Sequence, residues 1–330
     1  MIDTHCHLNS LVKENGELDY EKIDNIMCQM EQNGVSKAIT MGTTINDSVL
    51  ALKLANKYAN IYCAIGVHPE ELECFDENEL EKLIVDNLSS SKELNDDKNY
   101  LLSKQETTNS TKTISKCYVD KLTLSRQYDF NEERQIGNID EKYDNRKKLQ
   151  KKSKLLAIGE IGLDYYWRKD NKDAQIQIFK KQIELAIKYN LPIVVHCRDA
   201  YGDCLEILKR YYSDTSKLNG VIHCYTGSIE WAREIIKLGF IISFTGVVTY
   251  NNAKSVQEVA KWIDLDKLMV ETDSPFLTPV PNRGKENNPS YVVYVAQKIA
   301  ELKQVSYEII NNFTDSNAKA LFKIDANNEV

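Results

Sequence analysis

Short apolar runs alternate with amphipathic stretches along most of the chain. The runs are MIDTHC (1–6), KAITMG (37–42), IYCAIGV (61–67), LLAIGE (155–160), LPIVVHC (191–197), GVIHC (220–224), FIISFTG (240–246) and KLMVET (267–272). Each has strand length, and in LPIVVHC and FIISFTG the apolar character is nearly continuous, as in parallel strands buried on both faces. The stretches 20–33, 46–58, 77–87, 173–189, 201–211, 229–238 and 253–262 read mostly as helices. In the fourth of these, Ile176, Phe179, Ile183 and Ile187 recur near the helical period.

Eight strands alternating with helices predict an α/β protein, and the number favours a TIM-type (β/α)8 barrel in a single domain spanning 1–330. A doubly wound open sheet is the runner-up. It usually carries a glycine-rich phosphate loop after its first strand, and HCHLNSLV has no glycine there. One stretch breaks the rhythm. Residues 89–154 are rich in Asn, Asp, Ser, Thr and Lys, with few apolar residues and no clear period. They are expected to be a disordered insertion between the third and fourth βα units, hanging from the face opposite the active end. Its basic end, RKKLQKKSK, reads as a solvated linker.

The apolar fraction of 42% and the charged fraction of 28% are those of a soluble globular protein. With a formal charge of -7, no basic surface of the kind nucleic-acid binders display stands out. If the protein handles phosphates, metal ions would have to supply the positive charge. No secretion-signal pattern and no membrane-spanning apolar run is visible, so a cytoplasmic or nuclear location is expected. The eight cysteines include no CxxC pair, which favours reduced, packed thiols over a thiolate zinc site.

Chemistry in a barrel sits where strands end at the carboxyl face. The first run ends in His5-x-His7, the fourth in Glu160, the fifth in His196, the sixth in His223 and the eighth at Asp273; His68 follows the third. A lone histidine on an apolar strand is more often a satisfied core residue than a ligand, but all five histidines at one end of successive strands make a poor coincidence. Alternation points His5 and His7 the same way, with Cys6 to the other side. Four histidines and two carboxylates suit two divalent ions with open positions for water, the equipment of a hydrolase of phosphoesters, amides or lactones. No GxSxG nucleophile elbow is present.

The motifs DTHCHL, GVHPE, AIGEIGLDYY, PIVVHCRDA, VIHCYTG, VETDSPFLTP and NRGKENNP, in this order, resemble those of the TatD family of metal-dependent deoxyribonucleases. The resemblance covers nearly the whole chain outside 89–154. It implies a TIM-type barrel, DNA as substrate, two divalent ions (Mg2+, Mn2+ or Zn2+) and a monomer. It also implies that His5, His7 and Asp273 hold one ion, His196 and His223 the other, and that Glu160 bridges them. Asp273 would accept a proton from the bridging water, and Asp3 and Glu271 would orient ligands from behind, a plain buried hydrogen-bonded carboxylate being an equally good reading of both. His68 and Arg198 are candidates for phosphate contact, Tyr165, Tyr166 and Tyr225 for base stacking, and Arg283 and Lys285 for the DNA backbone. For Arg198 an ion pair with Asp199 or Glu160 is the competing reading, and for the others a plain packing, capping or solvated role. GVHPE carries Glu70 where many relatives have another residue.

The resemblance therefore implies a DNase, acting as a 3′–5′ exonuclease and also as an endonuclease. A related binuclear hydrolase of amides, lactones or small phosphoesters is the alternative. Such relatives often use a carboxylated lysine as the bridge, where GEIG supplies Glu160. A metal-stabilised binding module is the weakest reading.

Overall fold

The structure, a computed structural model, describes residues 1–14, 16–89, 153–215 and 218–324. The eight apolar runs are the eight strands of one sheet: β1 (Ile2–Cys6), β2 (Lys37–Met41), β3 (Ile61–Ile65), β4 (Leu155–Asp164), β5 (Ile193–Arg198), β6 (Gly220–Ile222), β7 (Ile241–Phe244) and β8 (Leu268–Val270). Neighbours in sequence are neighbours in space, and every pairing is parallel. The result is a nearly closed TIM-type barrel. At the seam between β8 and β1 the chain is joined just beyond the strands: Asp273 N–H donates to the His5 carbonyl (2.9 Å) and His7 N–H to the Ser274 carbonyl (2.7 Å). The seam thus stitches three candidate ligand positions into one local structure.

Seven helices stand where the apolar period placed them: α1 (Tyr20–Gln32), α2 (Ile45–Lys57), α3 (Glu77–Ser89), α4 (Lys172–Tyr189), α5 (Tyr201–Thr215), α6 (Ile229–Lys237) and α7 (Lys254–Trp262). Asp19 and Thr44 cap α1 and α2, their side chains accepting from the N–H groups of Lys22 and Asp47. Two further helices, α8 (Val292–Lys303) and α9 (Tyr307–Phe322), follow the last strand. The sequence reading stopped at 262, because these helices complete no further βα repeat. Their role is to close the barrel floor: Ala318, Leu321 and Phe322 of α9 pack with the inward residues Ile2, Ile39, Tyr62, Val221 and Met269. Asn317 Nδ2 donates to the carbonyls of Leu265 and Leu268, fixing α9 to the start of β8.

Strand β4 runs on to Asp164, four residues beyond the end expected at Glu160, after a shift of register between Ile158 and Ile161. Gly162 permits this. A Cβ there would lie 2.0 Å from the His196 carbonyl oxygen, so only glycine lets β4 approach β5 so closely. The low-complexity stretch expected over 89–154 lies, from 90 to 152, outside the described residues. Its flanks, the end of α3 and the start of β4, are at the amino end of the barrel, away from the strand ends that carry the candidate site.

Candidate metal centre

Behind His7 the chain makes a single helical turn, Leu8–Leu11, locked to β2. The N–H groups of Leu8 and Asn9 donate to Thr40 Oγ1 (3.0 and 3.5 Å), and Asn9 Nδ2 donates to the Met41 carbonyl (3.1 Å). His7 is therefore held from both sides, by this turn and by the bond to Ser274. Asp273 takes a left-handed backbone (φ 56°), an unusual conformation for a residue with a side chain and one that clusters at functional sites. Cys6 packs with the outer apolar layer, as alternation requires.

Every histidine of the chain brings a ring nitrogen within 3.4 Å of the buried Glu160 carboxylate. Oε2 lies 3.3 Å from His5 Nε2 and 3.4 Å from His7 Nε2, while Oε1 lies 2.7 Å from His223 Nε2, 2.9 Å from His196 Nδ1 and 3.4 Å from His68 Nε2. His5 Nε2 and His7 Nε2 are 3.3 Å apart, and Asp273 Oδ1 is 3.5 and 3.3 Å from them.

These distances test whether a metal fits. A tetrahedron with its centre about 2.1 Å from each vertex has edges of about 3.4 Å. His5 Nε2, His7 Nε2 and Glu160 Oε2 have that spacing, and so do the two imidazoles with Asp273 Oδ1, so the imidazole pair suits one divalent ion with a carboxylate on either side. Around Glu160 Oε1 the spacing is tighter, at the length of charge-assisted hydrogen bonds, with His196 Nδ1 and His223 Nε2 3.2 Å apart. Among the described residues, the groups that could hold an ion are His5–His7–Glu160, His5–His223–Asp273 and His68–Glu160–His196, and they overlap on shared residues.

The electrostatics agree. Burial disfavours a charged His7, but hydrogen bonds to Asp273 and Glu160 outweigh it and push the imidazole up to about 10. His223 is buried too, yet the charge of Glu160, its hydrogen bond to that carboxylate and the nearby Glu271 raise it. His196 is raised by Asp164 and Glu160 against the effect of burial. Burial and the neighbouring His223 lower His5, whose Nδ1 has no hydrogen-bond partner. Glu160 and Asp273 resist the upward push of burial because imidazoles face them, and both are held below the ordinary carboxylate range.

Behind the cluster, Glu271 Oε1 accepts from Cys224 N–H (2.6 Å) and lies 3.5 Å from His223 Nδ1, which has no hydrogen-bond partner. Asp3 takes the plainer of its two readings, a buried hydrogen-bonded carboxylate: it accepts from the N–H and hydroxyl of Thr272 (2.9 and 2.6 Å) and from the His5 N–H (3.5 Å), so it fixes the strand end before Asp273 rather than the His5 ring. The sequence reading missed Asp164. Its Oδ2 lies 3.0 Å from His196 Nε2, and its Oδ1 accepts from the N–H groups of Tyr166 and Trp167. The signal was present in GEIGLD, four residues past Glu160. Asn287 was missed as well: fully buried, it donates to the carbonyls of Thr272 and Phe276 and pins the loop carrying Asp273.

The substrate candidates divide. His68 joins the cluster, with its Nδ1 accepting from Glu70 N–H (3.2 Å) and its Nε2 towards Glu160. Arg198 pairs with neither Asp199 nor Glu160; its guanidinium lies 4.1 Å over the Tyr166 ring and 5.5 Å over that of Trp167. Arg283 stacks on Tyr250 at 4.2 Å, on an exposed loop. Tyr165 and Tyr225 are corrections. Tyr165 is buried with its hydroxyl donating to Asp203, and Tyr225 is buried with its hydroxyl donating to the Ser228 carbonyl. Neither ring is open to a base. Cys6, Cys28, Cys63, Cys74, Cys197, Cys204 and Cys224 form no disulfide among the described residues, and Cys117 lies outside them. No helix among the described residues is long and apolar enough to cross a membrane.

Comparison with known proteins places this arrangement. A family model described as TatD related DNase matches residues 2–323. A Bacillus subtilis (strain 168) protein named uncharacterized metal-dependent hydrolase YabD is 36% identical over 325 residues, covering 98% of this chain and 100% of its own. The Escherichia coli (strain K12) uncharacterized metal-dependent hydrolase YcfH is 30% identical over 326 residues, covering 99% and 97%. Among solved structures, YJJV, a TatD homolog from Escherichia coli K12, matches with a TM-score of 0.71 at 23% identity, over 98% of both chains. A TatD family hydrolase from Entamoeba histolytica matches at 0.67, also at 23% identity, over 98% of this chain and 97% of its own. At such identities the structural likeness speaks for the fold.

Proposed function

The chain belongs to the TatD related DNase family of metal-dependent hydrolases, and from that premise we propose that it hydrolyses DNA phosphodiester bonds, chiefly as a 3′–5′ exonuclease and also internally. The observation that carries this reading is the Glu160 carboxylate, whose two oxygens face two different sets of imidazoles. His5, His7 and Asp273 would hold one divalent ion (Mg2+, Mn2+ or Zn2+), His196 and His223 a second, and Glu160 both. Such a pair supplies an acidified water and positive charge at the scissile phosphate.

The chain's own groups do the rest. Asp273, kept ionised by His7, His5 and His223, is free to take the proton of an attacking water. Asp164 and Glu271 keep His196 and His223 turned inward. His68, with Nδ1 occupied by the Glu70 N–H, presents Nε2–H as a donor to a phosphate oxygen. Arg198 adds a cation at the rim, so an acidic protein can attract a polyanion locally.

The test uses single- and double-stranded oligonucleotides labelled at either end, with Mg2+ or Mn2+, with and without chelator. Chelator-sensitive loss from the 3′ end is expected. Absence of such degradation, or full activity in Glu160→Ala and Asp273→Ala, would refute the nuclease. Hydrolysis of a dihydroorotate-like or lactone substrate with DNA left intact would establish the alternative hydrolase.

A further inference from the structure

The exposed apolar surface is unevenly placed. Among the described residues the four most exposed large hydrophobic side chains are Trp167 (60%), Phe276 (59%), Tyr166 (47%) and Val280 (46%). All four follow the carboxyl ends of β4 or β8, where the metal donors converge. In an eight-stranded barrel with strands in sequence order, β4 and β8 stand opposite one another, so the aromatics flank the centre from two sides. Water-exposed aromatic surface around a polar cleft is the mark of a surface made to be covered.

Each aromatic is wired to a metal donor. Phe276 N–H donates to the Asp273 carbonyl (2.9 Å), its own carbonyl accepts from Asn287, and its ring lies edge-on to His7 with centroids 6.3 Å apart. On the other side one carboxylate does two jobs. Asp164 Oδ2 reaches His196, while Oδ1 holds the N–H groups of Tyr166 and Trp167 at 2.9 and 2.8 Å. That bond turns the chain so that both rings face out, edge-to-face with each other, with the Arg198 guanidinium on top.

We propose that Phe276 and the Tyr166–Trp167–Arg198 cluster clamp a single-stranded DNA end across the centre, one base stacking on Phe276 beside His7 and another on Trp167. This rests on the nuclease reading and adds the residues that grip the strand on either side of the centre. Bases offer their faces to rings only when unpaired, whereas a duplex hides them in its own stack. Arg198, already oriented by the rings, meets the phosphate beyond the second base. The aromatics are positioning residues that hold the scissile phosphate over the donors and take no part in bond breaking.

The experiment couples protein and substrate changes. Stacking on one ring corresponds to roughly 5- to 150-fold in binding. Trp167→Ala and Phe276→Ala are each expected to raise KM for a single-stranded oligonucleotide within that range, with Trp167→Phe and Phe276→Tyr restoring most of it. An abasic residue at the matching position of the oligonucleotide is expected to raise KM similarly in the wild type and to add little in the alanine variant. Equal, independent penalties from ring removal and base removal would overturn the clamp, as would a larger effect on duplex than on single strands. A second readout needs no turnover: in chelator, a single-stranded oligonucleotide is expected to quench tryptophan fluorescence, and Trp167→Phe to abolish the quenching although Trp231 and Trp262 remain. Quenching without any DNA cleavage would sink the nuclease and keep the clamp; cleavage with quenching unchanged in Trp167→Phe would sink the clamp and keep the nuclease.

Discussion

Replacing Glu160 by Gln in metal-free protein is expected to destabilise the fold in a pH-dependent way. His7 sits 3.4 Å from Glu160 and 3.3 Å from Asp273, and together these carboxylates raise it from 6.5 to about 10 despite burial. That difference favours the folded imidazolium by on the order of 5 kcal/mol, shared between the two partners. A folded-state value above the unfolded one gives stability that is complete below pH 6.5 and lost as pH climbs through the folded value. Glu160 itself is held below 4.5, so its stabilisation is present above that pH and fades below it. The two windows overlap between 4.5 and 6.5. Glu160→Gln keeps the shape and removes the shared anion, leaving His7, His196 and His223 facing one another with their cationic forms less compensated. Breaking a buried ion pair in this way costs about 3–5 kcal/mol, expected at pH 6 and shrinking to about 1–2 kcal/mol by pH 9, where the histidines of the variant are neutral. Urea unfolding in chelator at the two pH values, followed by circular dichroism, measures both numbers. An equal penalty at both, or none at pH 6, would refute the idea that this carboxylate holds the cluster together.

Further outcomes follow from the same geometry. Asp164→Asn is expected to weaken one of the bound ions about 10- to 100-fold by loosening His196, with the His5–His7 ion unaffected, as seen in titration against a chromophoric chelator. Loading metal at pH 7 is expected to release protons from the raised His7, His196 and His223, visible as a buffer-dependent enthalpy in calorimetry; an enthalpy independent of the buffer would contradict the protonated cluster. Asn287→Ala leaves the carbonyls of Thr272 and Phe276 without their donor and is expected to cost about 1–3 kcal/mol in chemical denaturation for each group that finds no substitute. Tyr165→Phe and Tyr225→Phe are expected to lose about 1 kcal/mol of stability each while leaving KM for DNA unchanged, the reverse of the Trp167 and Phe276 variants.

The repeat of apolar runs was enough to determine a parallel α/β architecture and to favour the barrel, because a strand buried on both faces leaves a signature in composition that no neighbour alters. The six donors were legible for a related reason. Histidines and carboxylates at the ends of such runs have few structural uses, and the period of two put His5 and His7 on one side and Cys6 on the other; that the histidine side faces the barrel interior, past an irregularity of β1 between Asp3 and Cys6, came from the fold. What lay behind and around the donors was decided by tertiary structure. Asp164 meets His196 only because β4 continues past a register shift and Gly162 lets β5 come close. Asp3 was assigned to His5 by spacing, yet Thr272, across the barrel seam, offers it two donors where the His5 ring offers none. The aromatic positions show the limit most sharply. Tyr165, Tyr166 and Trp167 are consecutive and alike in composition, so nothing in their order says which one faces solvent. Asp203 takes the Tyr165 hydroxyl inward and Asp164 turns the next two rings outward, and both partners arrive through the fold.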